Sequence, residues 1–155
     1  MAQTRCYVAD EAALLALAAR CAPALAACRL VFLNGTLGAG KTTFARGILR
    51  ALGHSGSVKT PTYTLVEPYE IAAKAVYHFD LYRLGEPEEL EYMGVRDYLD
   101  EGALCLVEWP ERARGMLGEP DISFDIQMLN QGREVLLRAH SSAGDACIRA
   151  LAEET

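Results

Sequence analysis

Apolar residues in the first third of the chain recur with helical spacing in two places. Between positions 14 and 28 they lie three or four residues apart, after an acidic pair at positions 10 and 11 that suits a helix start. This spacing predicts a first helix that bends or ends near Pro23. Between positions 42 and 52, apolar residues four apart are followed by Gly53, which predicts a second helix with a glycine after its C-terminus.

Short apolar and β-branched runs predict strands around these helices. The run 29–34 stops at a glycine and is typical of a strand that is buried on both faces. The segments 62–69 and 75–82 are rich in Tyr, Thr, Val and Phe, and their short connection predicts an antiparallel pair. The run 103–107 ends at Glu108 and predicts a central strand.

The C-terminal third has a different pattern. Residues 122–128 alternate strictly between apolar and polar, which predicts a half-exposed strand. A turn at 130–132 leads into the run 134–139, so we expect a closing hairpin and then a short terminal helix. Acidic residues around Pro87 predict a short helix in the middle of the chain.

Length and composition indicate one globular domain, because 155 residues with 51% hydrophobic and 23% charged residues suit a single core. The longest apolar stretch is interrupted by Arg20, Pro23 and Arg29, and acidic residues precede it, so we expect neither a membrane span nor a secretory signal. The expected location is the cytoplasm. Five cysteines form no C-x-x-C pair, which predicts inert thiols and no zinc site.

The net charge changes the range of partners. Fifteen basic and twenty-one acidic residues give a charge of −6, which opposes autonomous binding to a polyanion. A role on nucleic acid would therefore need partner proteins.

A phosphate-binding motif lies between the first buried strand and the second helix. Residues 35–42 match G-x-x-x-x-G-K-[ST] at every fixed position. The glycines let consecutive N–H groups turn towards phosphate oxygens, Lys41 neutralises the β- and γ-phosphates, and the Thr42 hydroxyl binds magnesium. A structural turn is the alternative, but the strand before and the helix after favour the phosphate site. The residues assigned to the nucleotide here are Gly38, Ala39, Gly40, Lys41, Thr42 and Thr43.

Two acidic residues end predicted strands, where ligands bind in open α/β sheets. We assign Glu108 to magnesium, directly or through water, and Asp80 to the metal shell or to the attacking water. For each residue alone, the alternative is a solvated strand end.

Four further features allow two interpretations each. Trp109 either stacks on a nucleotide or partner, or fills a core edge. His78 on an apolar strand fits a satisfied core histidine better than a catalytic base. The segment 60–64 is either a switch that senses the γ-phosphate or an ordinary Thr-rich turn. Arg133 reaches the nucleotide or is a solvated hairpin arginine.

The segments 35–44, 60–67, 78–83 and 106–109 together resemble the bacterial TsaE family, formerly YjeE, an ATPase family needed for tRNA threonylcarbamoyladenosine synthesis. The resemblance extends over nearly the whole chain. It implies a single domain, 1–155, with a P-loop NTPase-like three-layer α/β fold, a mixed central sheet and antiparallel edge strands. It also implies ATP and Mg²⁺ as cofactors and assembly with TsaB-like and TsaD-like proteins, through which tRNA is contacted indirectly.

The same resemblance implies roles for individual residues. Residues 41–43 bind phosphates and magnesium, Glu108 binds magnesium, Asp80 is required for hydrolysis, and Trp109 lies beside the site. Asp10, with its neighbour Glu11, and Arg133 resemble the flanking nucleotide contacts of the family. The second loop position, often acidic in this family, is Thr36 here, so any function of that acid is in doubt.

Three other functions share the phosphate loop. A small-molecule kinase could use Arg112 and Arg114 as a lid, but the chain has little room for an acceptor domain. A GTPase would carry N-K-x-D and D-x-x-G, and neither string is present. The third alternative, a nucleotide-dependent docking module that does not hydrolyse ATP, is not excluded by the sequence.

Overall fold

A computed structural model of the chain describes residues 2–61 and 64–153, and this part forms one mixed seven-stranded sheet with five α-helices. In chain order the elements are β1 (Gln3–Val8), α1 (Glu11–Leu25), β2 (Leu30–Asn34), α2 (Lys41–Leu52), β3 (Val66–Ile71), β4 (Lys74–Asp80), α3 (Glu88–Tyr92), α4 (Val95–Asp100), β5 (Leu104–Glu108), a 3₁₀ turn (Pro110–Ala113), β6 (Ile122–Met128), β7 (Arg133–Ala139) and α5 (Ser142–Glu153).

The sheet has a parallel centre and antiparallel edges. Its strand order is β1-β7-β6-β2-β5-β4-β3, and β2 runs parallel to both β5 and β6, while β4 runs parallel to β5. At the two edges, β3 pairs antiparallel with β4, and β1 pairs antiparallel with β7. The expected mixed α/β fold with antiparallel edge strands is confirmed at this level.

Helices cover both faces of the sheet, and the central strand β5 is buried on both of them. Along β5, Leu104 and Leu106 pack in one hydrophobic cluster with α1, α2 and α5, whereas Cys105 and Val107 pack in a second cluster with α3 and α4. All five residues of β5 are buried, which accounts for the unbroken apolar run in the sequence.

The first helix begins and ends close to its predicted limits. Asp10 caps its N-terminus, where a side-chain oxygen accepts a hydrogen bond from the Ala13 N–H at 2.9 Å. Pro23 lies inside the last turn, and the helix ends at Leu25. The second helix ends at Leu52 and is followed, as predicted, by Gly53, whose φ of +123° is a conformation that glycine adopts most easily.

The predicted strands are present, with two differences. The segment predicted as 62–69 forms a strand from Val66, and residues 62 and 63 lie outside the described part. Ser123 on β6 is 3% exposed and not solvated as the alternation predicts, because β6 is an interior strand between β2 and β7.

Two elements have no counterpart in the sequence-based expectations. β1 is an edge strand whose outward residues Gln3, Arg5 and Tyr7 are exposed. Only Val8 is fully buried, so the strand shows no clear alternation of apolar residues. The six-residue helix α4 follows Gly94 and buries only Val95 and Leu99, too few positions to show a period.

No helix in the described residues is both long and apolar enough to cross a membrane. The five cysteines are free thiols, and four of them are buried. Within residues 2–61 and 64–153, no group of three or more His, Cys, Asp or Glu side chains is arranged to hold a metal ion alone.

Candidate active site

A pocket of about 680 Å³ opens where β4 and β5 end and α2 begins. This volume is in the range of small-molecule sites. The pocket is lined by Glu11, Leu14, Leu37, Gly38, Gly40, Lys41, Thr42, Thr43, Thr60, Asp80, Tyr82, Arg83, Glu108, Trp109 and Arg133.

The loop between β2 and α2 favours glycine at two positions. A Cβ atom on Gly35, which has a φ of +153°, would lie 2.7 Å from the backbone carbonyl oxygen of Ile126. Gly40 has a φ of +116°, a backbone conformation that residues with a side chain rarely adopt. Glycine therefore lets the loop turn in this way at the start of α2.

Lys41, the first residue of α2, is held inside the loop. Its Nζ donates hydrogen bonds to the carbonyl oxygens of Gly35, at 2.5 Å, and Thr36, at 3.0 Å. The ammonium also lies 4.0 Å from the centre of the Trp109 ring, within the range of a cation–π contact. Burial lowers the pKa of Lys41, and the carboxylates of Glu108, Glu111 and Asp80 oppose that shift.

Thr42 connects α2 to the end of β5. Its hydroxyl Oγ1 lies 2.9 Å from Glu108 Oε1 and 3.0 Å from Oε2, so it donates to this carboxylate. Glu108 is 2% exposed, and Oε2 also contacts His78 Nε2 at 2.6 Å. A buried carboxylate is costly unless it is hydrogen-bonded, and these two partners supply the bonds.

Asp80 lies directly opposite Glu108 in the register of β4 and β5. Its Oδ1 accepts a hydrogen bond from the Tyr82 N–H at 3.0 Å. Burial raises the pKa of Asp80, and the nearby Glu108 charge adds to that shift, while the Tyr82 N–H, His78 and Lys41 oppose it.

The backbone of Asp80 is also bound to the segment before β3. The Asp80 N–H donates to the Leu65 carbonyl oxygen at 3.0 Å, and the Leu65 N–H donates to the Pro61 carbonyl oxygen at 3.1 Å. Thr60 lines the pocket, which fits the predicted switch position. Thr62 and Tyr63, which belong to that predicted segment, lie outside the described residues.

His78 is buried, as a core histidine would be, but it is not fully satisfied. Its Nε2 is bound to Glu108, whereas Nδ1 has no hydrogen-bond partner among the described residues. Its place beside the site was not predicted from the sequence, where His78 fitted a core histidine better than a catalytic base. A signal was present, since His78 and Asp80 are two apart on one strand and therefore share a face.

Trp109 lies both at the pocket and at the edge of the core, the two positions considered for it from the sequence. It lines the pocket under Lys41, and it also packs against the second hydrophobic cluster. Its ring centre lies 5.0 Å from that of Tyr82, a pocket residue that the sequence analysis did not single out.

Of the residues expected to flank the nucleotide, some line the pocket and one does not. Glu11 and Arg133 line the pocket, and Arg133 Nε is buried without a partner in the described part of the chain. The Asp10 side chain is instead engaged in capping α1. In the loop, Ala39 is fully buried and its N–H donates to the Thr36 carbonyl oxygen at 3.0 Å.

The donor set suits a magnesium–nucleotide complex. The Thr42 hydroxyl and the Glu108 and Asp80 carboxylates line the pocket and are hard oxygen donors of the kind that magnesium takes. Magnesium is usually bound by one or two carboxylates together with waters and substrate phosphates. The glycine-rich loop and Lys41 line the same pocket and could supply N–H groups and a positive charge for anionic oxygens.

Comparison with a solved structure supports the fold. The crystal structure of YdiB from Bacillus subtilis superposes with a TM-score of 0.81 at 25% sequence identity, over 99% of this chain and 96% of that one.

Sequence comparison identifies relatives. The tRNA threonylcarbamoyladenosine biosynthesis protein TsaE of Haemophilus influenzae is 54% identical over 121 residues, which cover 78% of this chain and 77% of that protein. The protein of the same name from Rickettsia felis is 37% identical over 107 residues, covering 68% of this chain and 62% of that protein. A family model described as "Threonylcarbamoyl adenosine biosynthesis protein TsaE" matches residues 8–135. The chain therefore belongs to the TsaE family.

Proposed function

We propose that this chain is a P-loop ATPase domain that binds Mg²⁺ and ATP in the described pocket and hydrolyses ATP. We propose further that it acts in tRNA threonylcarbamoyladenosine biosynthesis, where it supports a transferase of TsaB-like and TsaD-like proteins. The observation that carries the ATPase proposal is the hydrogen bond between Thr42, at the start of α2, and the buried Glu108 at the end of β5.

Phosphate binding rests on the loop and on α2. Apart from the Ala39 N–H, which donates to Thr36, the N–H groups of the loop and the positive N-terminal end of α2 would hold the phosphate oxygens, and Lys41 would neutralise them. The Lys41 ammonium is hydrogen-bonded to the carbonyl oxygens of Gly35 and Thr36, and it could exchange these partners for phosphate oxygens. An ammonium is attracted more strongly to an anionic phosphate oxygen than to a neutral carbonyl oxygen, because opposite full charges attract, and this favours the exchange.

Thr42 and Glu108 would hold the metal. Magnesium bound there would neutralise charge that develops on the transferring phosphoryl group. The Thr42 hydroxyl donates its hydrogen to Glu108. The lone pairs of the hydroxyl oxygen therefore remain available to a cation.

Asp80 would orient the attacking water. The Tyr82 N–H donates to Oδ1, and the remaining oxygen can accept a hydrogen bond from water. Burial and the Glu108 charge raise the pKa of Asp80, which makes its carboxylate a better proton acceptor than an exposed aspartate.

The pathway assignment is supported by family membership and by the names of the relatives, which are tRNA threonylcarbamoyladenosine biosynthesis proteins. A net charge of −6 fits an accessory protein that reaches tRNA through partners.

Two measurements test the proposal. Phosphate release at saturating ATP should require Mg²⁺ and disappear in EDTA, with the chain alone or with TsaB and TsaD homologues. Formation of threonylcarbamoyladenosine in a reconstituted reaction should fall when this chain is omitted or replaced by Lys41→Ala. Absence of phosphate release under every condition would favour a docking module, and a phosphorylated acceptor accumulating with ADP would favour a kinase.

A further inference from the structure

A buried histidine lies directly behind the proposed magnesium ligand. His78 on β4 is fully buried, and its Nε2 lies 2.6 Å from Oε2 of Glu108. The chemistry proposed above for phosphate, metal and water does not use this ring. A histidine in such a place needs its own explanation, because burying a polar ring costs free energy unless its atoms are paired.

The contact restricts a torsion that is otherwise loose. The last torsion of a glutamate side chain is broad, since it joins an sp³ carbon to an sp² carboxylate. Here Oε2 is bound by His78 from β4, and both oxygens are contacted by Thr42 from α2. Two donors on two different elements therefore set the plane of the Glu108 carboxylate.

The hydrogen-bond network assigns the proton of the ring. A carboxylate accepts, so Nε2 carries the hydrogen and donates it to Oε2. Nδ1 has no partner within the described residues, and an unpartnered acceptor there avoids burying an unpartnered N–H. The imidazole is thus a donor directed at Glu108.

We propose that His78 is a positioning residue that fixes the Glu108 carboxylate in the orientation required to hold magnesium beside the nucleotide. This inference rests on the proposed function of the site. It predicts that His78 affects the metal-dependent part of nucleotide binding and leaves the metal-independent part unchanged.

The test compares two substitutions of different chemistry. His78→Leu removes the donor, whereas His78→Gln keeps an amide nitrogen the same number of bonds from Cβ as Nε2. Val76→Ala is the matched control, because Val76 is buried on the same face of β4 and packs in the core without a polar contact to the site. Affinity for a non-hydrolysable ATP analogue is measured by calorimetry for each protein, in EDTA and in MgCl₂, with thermal unfolding as a check of the fold.

The ratio of the two dissociation constants reports the contribution of the metal. Loss of a residue that orients a metal ligand typically weakens metal affinity by about 10–100-fold. We expect His78→Leu to reduce the magnesium-dependent gain about tenfold with metal-free affinity within about twofold, and His78→Gln to restore most of it. Val76→Ala should lower thermal stability and leave the ratio unchanged.

The outcomes distinguish a failure of the proposed function of the site from a failure of the proposed role of His78. A wild-type ratio of one would overturn the proposed function of the site and this inference with it. A normal wild-type ratio that His78→Leu leaves intact would overturn the role of His78 alone. The same holds if His78→Leu weakens metal-free and metal-bound affinity equally, or if His78→Gln gives no recovery.

Discussion

At the scale of single residues, burial determines how the charged groups of the pocket behave. Lys41 is 4% exposed and Glu108 is 2% exposed, so the polar atoms of each need specific partners inside the protein. Lys41 has two carbonyl oxygens and an aromatic face, and Glu108 has a hydroxyl and an imidazole. Substitutions here should therefore affect binding and catalysis more than the loss of a surface charge would.

Replacing Lys41 tests the phosphate site. We expect Lys41→Ala to weaken ATP binding at least about tenfold with retention of fold, because hydrogen bonds to charged groups contribute about 1.5–3 kcal/mol. Isothermal titration with ATP measures this, and circular dichroism checks the fold. Lys74→Ala, at the opposite end of β4 from Asp80, is the matched control and should bind ATP normally. Unchanged affinity in Lys41→Ala would place the phosphates elsewhere.

Replacing the two acids should separate binding from chemistry. Asp80→Ala and Glu108→Ala should keep measurable nucleotide binding, because the loop N–H groups remain, but lose phosphate release by about two orders of magnitude or more. Glu111→Ala, an exposed acid that raises the pKa of Lys41 through its charge, is the control and should retain turnover. Normal phosphate release at saturating ATP and Mg²⁺ from either site variant would remove that acid from the mechanism.

The raised pKa of Asp80 predicts a pH-dependent stability difference. The folded state holds the Asp80 proton more tightly than the unfolded state does, so ionisation destabilises the fold as pH rises from the ordinary aspartate pKa of 3.8 through the folded pKa. Asp80→Asn removes that cost and should melt at a higher temperature than wild type near neutral pH, with the gap closing as pH falls. Thermal melts between pH 4 and pH 8, about the range over which carboxylates with raised pKa values titrate, check this. A constant gap at all pH values would contradict it.

At the scale of elements, the spacing of apolar residues predicted those helices and strands that bury one regular face in the core. The first two helices, the central strands and the closing hairpin each bury a regular set of apolar residues, so their patterns were visible. β1 and α4 bury too few residues to show a period. The fixed spacing of the loop predicted its position, but the contact between His78 and Glu108 depends on how β4 and β5 pair, which no local pattern contains.

The N-terminus of α1 offers a test of Asp10, whose implied contact with the nucleotide stays a prediction. Because its side chain caps the helix, Asp10→Ala should lower the free energy of unfolding by about 0.5–2 kcal/mol. Asp10→Ser keeps a capping oxygen and should retain both stability and ATP affinity. Chemical denaturation and ATP titration of both variants measure these effects. A stable Asp10→Ser protein with weakened ATP binding would show that the carboxylate contacts the nucleotide.

At the scale of the whole molecule, charge limits what the chain can bind alone. Its fifteen basic residues are outnumbered by twenty-one acidic ones, and the resulting net charge of −6 opposes binding to tRNA phosphates. We expect weak tRNA binding by the isolated chain at physiological salt, measured by gel shift. Tight binding without partners would overturn the indirect role.

The same proposal predicts nucleotide-dependent assembly. Because Thr60 lines the pocket, γ-phosphate contacts can order a docking surface near it. Sedimentation with TsaB and TsaD homologues should therefore show tighter association with ATP than with ADP. Lys41→Ala serves as the control that removes the difference. Absence of a complex in every nucleotide state would contradict the proposed partners.

The hydrogen bond between the Asp80 N–H and the Leu65 carbonyl oxygen connects the backbone of a proposed catalytic residue to the segment just before the edge strand β3. The Leu65 N–H donates in turn to the Pro61 carbonyl oxygen. If hydrolysis requires Asp80 as proposed, a protein that binds this segment would contact a residue hydrogen-bonded to the Asp80 backbone without placing any residue in the pocket.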